Sequence, residues 1–212
     1  HRRVAGRHGE FGPLQARLVI NAAGNYGDLV ENIARPSPFA VKPRKGQFVV
    51  FDKPAARRLT EAIQELLRLI PATLERNVSI KLSMTGLNID REFCLEQTAR
   101  VLDTAREVQG FVRIDMEGSQ HTQATLDVFQ KLRERYDNVG IVLQAYLHRS
   151  ERDVLQAIER GDRVRLCKGA YREPATLALQ KMDDVRANYR KLAHLLLEKG
   201  EYPAVATHDE SL

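Results

Sequence analysis

Tryptophan is absent, and only two cysteines, Cys94 and Cys167, occur in 212 residues. Two thiols and no secretory signal argue against a disulfide-built secreted domain and fit a reducing, cytoplasmic setting. No apolar run approaches the ~20 residues that cross a bilayer, so no spanning helix is expected. No second histidine or cysteine stands at ligand spacing from His208, so no metal site is expected. No serine has a nucleophile-elbow context, which leaves acyl transfer unsupported. Internal repeats are lacking. The length also falls short of the roughly 250 residues of a closed (β/α)8 barrel. A start at His1 reads as a cut or a fragment end.

What is present is ordinary globular composition, 43% hydrophobic and 29% charged, which excludes a disordered chain. The charge is uneven. Residues 1–59 hold 11 Lys plus Arg against 4 Asp plus Glu, and the remainder 22 against 24. The basic charges are scattered and lack the aromatic interleaving of a single-strand binder, so nucleic-acid binding is not expected.

Residues 1–10 show no periodicity. Short apolar strands are read at 16–20 and 47–51, separated by a stretch containing Pro36 and Pro38. From Pro54 the pattern becomes helical, with Leu59, Ile63, Leu66, Leu67 and Ile70 on one apolar face and Pro71 at its end. Strands at 78–82, 111–115, 139–143, 164–167 and 204–206 then alternate with helices at 90–108, 122–136 and 151–159, and with one or two helices at 175–198. Asp90 is the N-cap expected for the first of these. Ser150 with Asp153 is a weak capping box for the third, and Gly200 a C-cap. This alternation predicts an α/β fold of about five parallel strands, either an open doubly wound sheet or part of a barrel.

Ligands of such folds bind at the carboxyl ends of the strands. Those ends carry Lys81 and Ser83; Asp115, Met116 and Glu117; Gln144, Ala145 and Tyr146; Arg165, Lys168, Gly169, Ala170 and Tyr171; and Thr207, His208 and Asp209. Lys81 stands out inside an apolar strand, where an unpaired lysine costs several kcal/mol. Asp115 is its natural partner, in a structural ion pair or in a site for a substrate carboxylate. By strand parity Arg163 and Arg165 face one way, Val164 and Leu166 the other. The Lys168-Gly169-Ala170 loop admits close approach of a ring or a phosphate. His208 is read as a proton shuttle or a ribose or phosphate contact, and Cys167 as a small hydrophobe.

The motifs VSIKLS (78–83), RIDMEGS (113–119), VLQAYLHRS (142–150), VRLCKGAYREP (164–174) and ATHDESL (206–212) together resemble the proline dehydrogenase family. The resemblance implies a partial (β/α)8, TIM-type barrel that binds FAD. It also implies oxidation of L-proline to 1-pyrroline-5-carboxylate, with hydride passing from proline C5 to flavin N5 and electrons on to a quinone. Residue by residue, it makes Asp115 and Arg165 catalytic. Lys81 and Tyr171 become substrate-binding. Met116, Gln144, Lys168, Gly169, Ala170, Thr207 and His208 become FAD contacts.

Residues 16–53, with NAAG and VKPRKGQFVVFDK, resemble instead an internal piece of FAD-dependent amine and glycerol-3-phosphate oxidoreductases, without that family's G-x-G-x-x-G. The chain thus divides into a β-containing piece at 1–53, a seam and helix at 54–75 and a partial proline dehydrogenase barrel at 76–212. Alternative readings are an amine or glycerol-phosphate oxidoreductase and an inactive fusion fragment. The family's D-x-L-G-E-like strand and its helix of paired arginines have no counterpart here. The expectation is therefore weak FAD retention, slow proline oxidation, self-association through open strand edges and peripheral contact with a membrane.

Overall fold

The computed structural model describes residues 52–212. The strands read at 16–20 and 47–51, and the piece at 1–53 up to residue 51, lie outside the described residues. Helix α1 (Lys53–Leu69) starts where Asp52 accepts a hydrogen bond from the Ala55 amide at 2.8 Å, with Pro54 in its first turn. Its buried stripe is Ala56, Thr60, Ile63 and Leu67. Leu66, expected on that face, is 51% exposed. The Gln64 amide donates to Arg100 O at 3.1 Å and Thr104 Oγ1 at 2.7 Å, which sets the rotation of α1 against the next helix.

Four βα units and a fifth strand follow. They run β1 (Asn77–Lys81), α2 (Arg91–Glu107), β2 (Phe111–Asp115), α3 (Ser119–Arg133), β3 (Val139–Gln144), α4 (Ser150–Glu159), β4 (Arg163–Cys167), α5 (Met182–Lys199) and β5 (Glu201–Ala206). The strands are parallel and lie in the order β1-β2-β3-β4-β5. A doubly wound sheet would reverse its strand order at a switch point. This one never reverses, so the barrel alternative holds, as an arc that does not close among the described residues.

Strand parity gives the arc two unlike faces. Ile80, Ile114, Ile141, Leu143 and Leu166 point one way and pack with Val101, Leu102, Phe129, Leu192 and Leu196 of the helices. Burying each such side chain is worth about 1.5–3 kcal/mol. The other face carries Ser79 and Lys81, Arg113 and Asp115, Gly140 and Val142, and Arg163 and Arg165. Arg165 Nη1 donates to Ser79 Oγ at 3.2 Å, from β4 to β1. Three strand spacings span about 14 Å in a flat sheet, more than an arginine reaches. The sheet therefore curls around this polar face, as a barrel wall curls around its interior.

Element ends differ from the sequence reading for identifiable reasons. Helix α3 begins at Ser119 rather than 122, because Glu173 accepts from the Ser119 amide at 2.7 Å and from its hydroxyl. A carboxylate there also suits the positive end of the helix. Ser150 is not the N-cap of α4. It is the first helical residue, and its hydroxyl donates to Gln144 O, while Asp153 accepts from Arg149 at 2.6 Å. The 175–198 region holds one helix, α5, because Ala178 instead bridges to Leu147. Gly200 does end α5, but at φ −83° rather than in a left-handed turn. No described helix is long and apolar enough to cross a membrane.

Candidate active site

At the carboxyl ends of the strands, Asp115 receives two cations. Its Oδ1 accepts from Arg165 Nη2 at 2.5 Å, and its Oδ2 lies 3.8 Å from Lys81 Nζ. Lys81 and Asp115 are register partners on β1 and β2, and Arg165 stands opposite Val142 on the same layer. Lys81 is not buried in the sheet, as the sequence reading had it. Its side chain is 46% exposed, against 30% for Arg165 and 23% for Asp115. The lysine alternates with Val78 and Ile80 and so falls on the open concave face. A pair this solvated contributes at most about 1 kcal/mol of stability. Its net positive charge, two cations to one carboxylate, suits a small anionic ligand.

The remaining strand ends frame this trio. Gln144 is buried, and its amide nitrogen lies 3.5 Å from Met116 O, while its Oε1 has no hydrogen-bond partner. The Met116 side chain turns into the helix-side core, leaving its backbone at the rim. Lys168 is tied by an ion pair to Asp209 at 2.9 Å, which also binds Arg186. These bonds hold the Asp209 carboxyl well below the usual carboxylate range. Gly169 stands against the Tyr146 ring. Ala170, Tyr171, Thr207 and His208 are exposed along the rim. Cys167 donates to Leu143 O at 3.5 Å, and burial pushes its thiol up.

Four residues that organise this rim were not assigned from sequence. Ser79 anchors Arg165. Glu117 accepts from the Ser83 amide at 3.1 Å and from its hydroxyl at 2.7 Å, tying the loop after β1 to the end of β2. Asp209 fixes Lys168. Tyr146 places a buried hydroxyl at the end of β3 that makes no well-formed hydrogen bond. Glu117, Tyr146 and Asp209 are readable from sequence as strand-end residues, and Ser79 through the strand parity it shares with Lys81, but none of the four is given a role there.

Burial pushes the Tyr146 phenol up to about 12, with the negative charge of Glu173 adding to the effect. An unfolded tyrosine ionises near pH 10. The buried phenol holds its proton to higher pH, so its contribution is complete below pH ~10 and is lost as pH rises toward ~12. Removing an unpaired buried hydroxyl is close to neutral. Tyr146→Phe is therefore expected to match the parent stability at pH 7 and to lose less of it between pH 10 and 11, as urea unfolding at each pH would report.

Residues 47–211 match the family model described as proline dehydrogenase. Proline dehydrogenase 2 of Bacillus subtilis is 38% identical over 167 residues, covering 79% of this chain and 55% of the relative. Proline dehydrogenase of Deinococcus radiodurans is 38% identical over 176 residues, 79% of this chain and 56% of that one. The chain thus spans about half the length of the curated relatives it matches. Among solved structures, proline utilization A (PutA) from Bdellovibrio bacteriovorus, inactivated by N-propargylglycine, superposes with a TM-score of 0.67 at 26% identity. That match covers 76% of this chain and 22% of the other. The strand order, the inward-facing polar layer and these matches agree on the TIM-barrel type of fold. The chain belongs to the proline dehydrogenase family.

Proposed function

We propose that this chain forms part of the active site of an FAD-dependent enzyme that oxidises L-proline to 1-pyrroline-5-carboxylate. The observation that carries the reading is the Lys81–Asp115–Arg165 cluster on the concave face. A flavin fits the residues around it. The orphaned Gln144 Oε1 requires an N–H or O–H donor, and a flavin ring presents an N–H edge. The Gln144, Met116, Lys168, Gly169, Ala170, Thr207 and His208 positions would line that ring and its polar tail. The chemistry supplied by bound FAD is acceptance of the hydride from proline C5.

The chain's own residues do the rest. Lys81 neutralises the proline carboxylate and fixes its direction. Arg165 presents a fixed guanidinium where negative charge accumulates during reduction. Asp115 holds both cations in place, one on each oxygen. Tyr171, exposed beside them, closes one side of the substrate. A quinone is the acceptor that completes the cycle, and a membrane surface the place to meet one. The piece at 1–53 is assigned to a separate oxidoreductase-like segment. The edge strands among the described residues, β1 and β5, are surfaces for self-association.

The exposure of Lys81 and Arg165 lets water screen both charges, so reduction is expected to be slow. The test is anaerobic absorbance at flavin wavelengths after incubation with FAD. L-proline is expected to bleach the bound flavin, and absence of bleaching in flavin-loaded protein would refute the reading. Lys81→Met is expected to weaken binding of a proline-like carboxylate about ten- to a hundredfold. Its unfolding midpoint in urea should stay close to that of the parent, because the pair is solvated. A large loss of stability with unchanged affinity would make Lys81 a structural residue.

A further inference from the structure

The concave face holds a second layer of charge, nearer the amino ends of the strands, that the proposed reaction does not use. Arg113 lies two residues before Asp115 on β2, and Arg163 two before Arg165 on β4. Two residues along a strand is about 6.6 Å. Arg113 is only 5% exposed, yet its Nη1 has no hydrogen-bond partner. Neither arginine forms an ion pair within the described residues. A buried guanidinium without an acceptor is costly, and native structures rarely leave one so.

The geometry explains how the two arginines are held with their N–H edges free. Gly140, the register partner of Arg113, leaves room for the Phe111 ring; a Cβ there would stand 2.8 Å from Phe111 Cζ. The Arg113 and Arg163 guanidinium carbons lie 5.1 and 5.3 Å from the centroid of that ring. Arg163 also lies 5.1 Å from the Tyr202 ring centroid. Aromatic faces support a guanidinium through its plane and supply no acceptor for its edge. A cavity of about 190 Å³ opens here, lined by Arg76, Asn77, Phe111, Arg113, Arg163 and Tyr202. Arg76 is already engaged by the Ile70 and Val108 carbonyls. Glu75 also lines the cavity and Glu201 is the register partner of Arg163, but both are exposed and neither pairs with an arginine.

We propose that Arg113 and Arg163 form an anion site at the amino-terminal mouth of the sheet, for a small oxyanion held by their free guanidinium edges. The planar N–H fork matches two oxygens of a carboxylate, sulfate or phosphate. The cavity is too small for a nucleotide. Occupancy neutralises a buried cation and draws together two like charges that otherwise repel. The site therefore stabilises the fold, and it lies one layer from the Lys81–Asp115–Arg165 cluster, toward the amino ends of the strands.

The test is thermal unfolding of the full chain in sodium sulfate and in sodium acetate, each against sodium chloride at equal ionic strength. At ten times its Kd, a bound oxyanion is expected to raise the midpoint by about 3–6 °C over chloride. The larger effect of the two salts identifies the ligand as tetrahedral or as a carboxylate. The increment should vanish in Arg113→Met and in Arg163→Met and persist in Lys81→Met. Arg163 is only partly buried, so its variant reports even where Arg113→Met fails to fold. A midpoint no higher than in chloride, an increment that survives Arg163→Met, or one lost in Lys81→Met would each overturn the proposal.

Discussion

Asp115→Ala is expected to slow proline-dependent flavin bleaching by roughly 10²–10³-fold, the usual cost of disabling one preorganised electrostatic element of an active site. The carboxylate is the only anion among the described residues shared by the two cations of the upper layer, Arg165 at 2.5 Å and Lys81 at 3.8 Å. Without it the two positive charges repel, and Arg165 keeps only its 3.2 Å bond to Ser79. Arg165 is then free to swing toward solvent, where its charge is screened. Stability should change little, because all three side chains are partly exposed. Asp115→Asn separates charge from shape. The amide oxygen still accepts from Arg165 but no longer balances Lys81. Single-turnover bleaching at saturating proline should place Asn between the parent and Ala. If Asp115→Asn matches the parent rate, orientation alone accounts for the role of Asp115; if Asp115→Ala also matches it, the cluster is not the reacting centre.

How much of this was legible beforehand depended on whether the determining contact was local. The Asp90 cap of α2 was readable because its side chain bonds the Phe93 amide three residues on. The parity of Arg163 and Arg165 was readable because a strand alternates with period two. The same rule, applied to Asn77-Val78-Ser79-Ile80-Lys81, points to one polar face and so to an exposed lysine. The apolar neighbours obscured it. Other features had no local trace. The N-terminal cap of α3 comes from Glu173, 54 residues along the chain. The partner of Arg165 on β1 is brought within reach only by sheet curvature. The capping pattern at Ser150 was misleading, because the hydroxyl found a better acceptor in Gln144 O at the end of β3. The motifs themselves located the strand ends correctly, since they record which residues meet there without stating how.

Gly169→Ala is expected to destabilise the chain by about 2–6 kcal/mol and to abolish flavin retention. Two costs combine. Gly169 has φ +110°, a conformation that L side chains rarely adopt, and such backbone strain costs of order 1–3 kcal/mol. A Cβ there would also come within 2.2 Å of Tyr146 Cδ1. Tyr146 is buried at 7% exposure, so its ring cannot simply rotate into water. Overpacking of this kind costs typically 1–3 kcal/mol. The consequence reaches past stability, because Tyr146 donates one and accepts one of the backbone bonds that define the rim. Its amide donates to Lys168 O at 2.9 Å, and its carbonyl accepts from the Leu179 amide at 2.8 Å. Displacing the ring therefore moves the 168–170 loop and the residues after β3 together. The double variant Gly169→Ala, Tyr146→Ala removes the clash and keeps the backbone strain. It is expected to retain the strain component of the loss, with the clash component relieved in part by the missing ring and replaced by a cavity. Urea unfolding of the two single variants and the double variant separates these terms. A Gly169→Ala protein as stable as the parent would mean that the loop adopts a different backbone path, and with it a different approach to any bound ring.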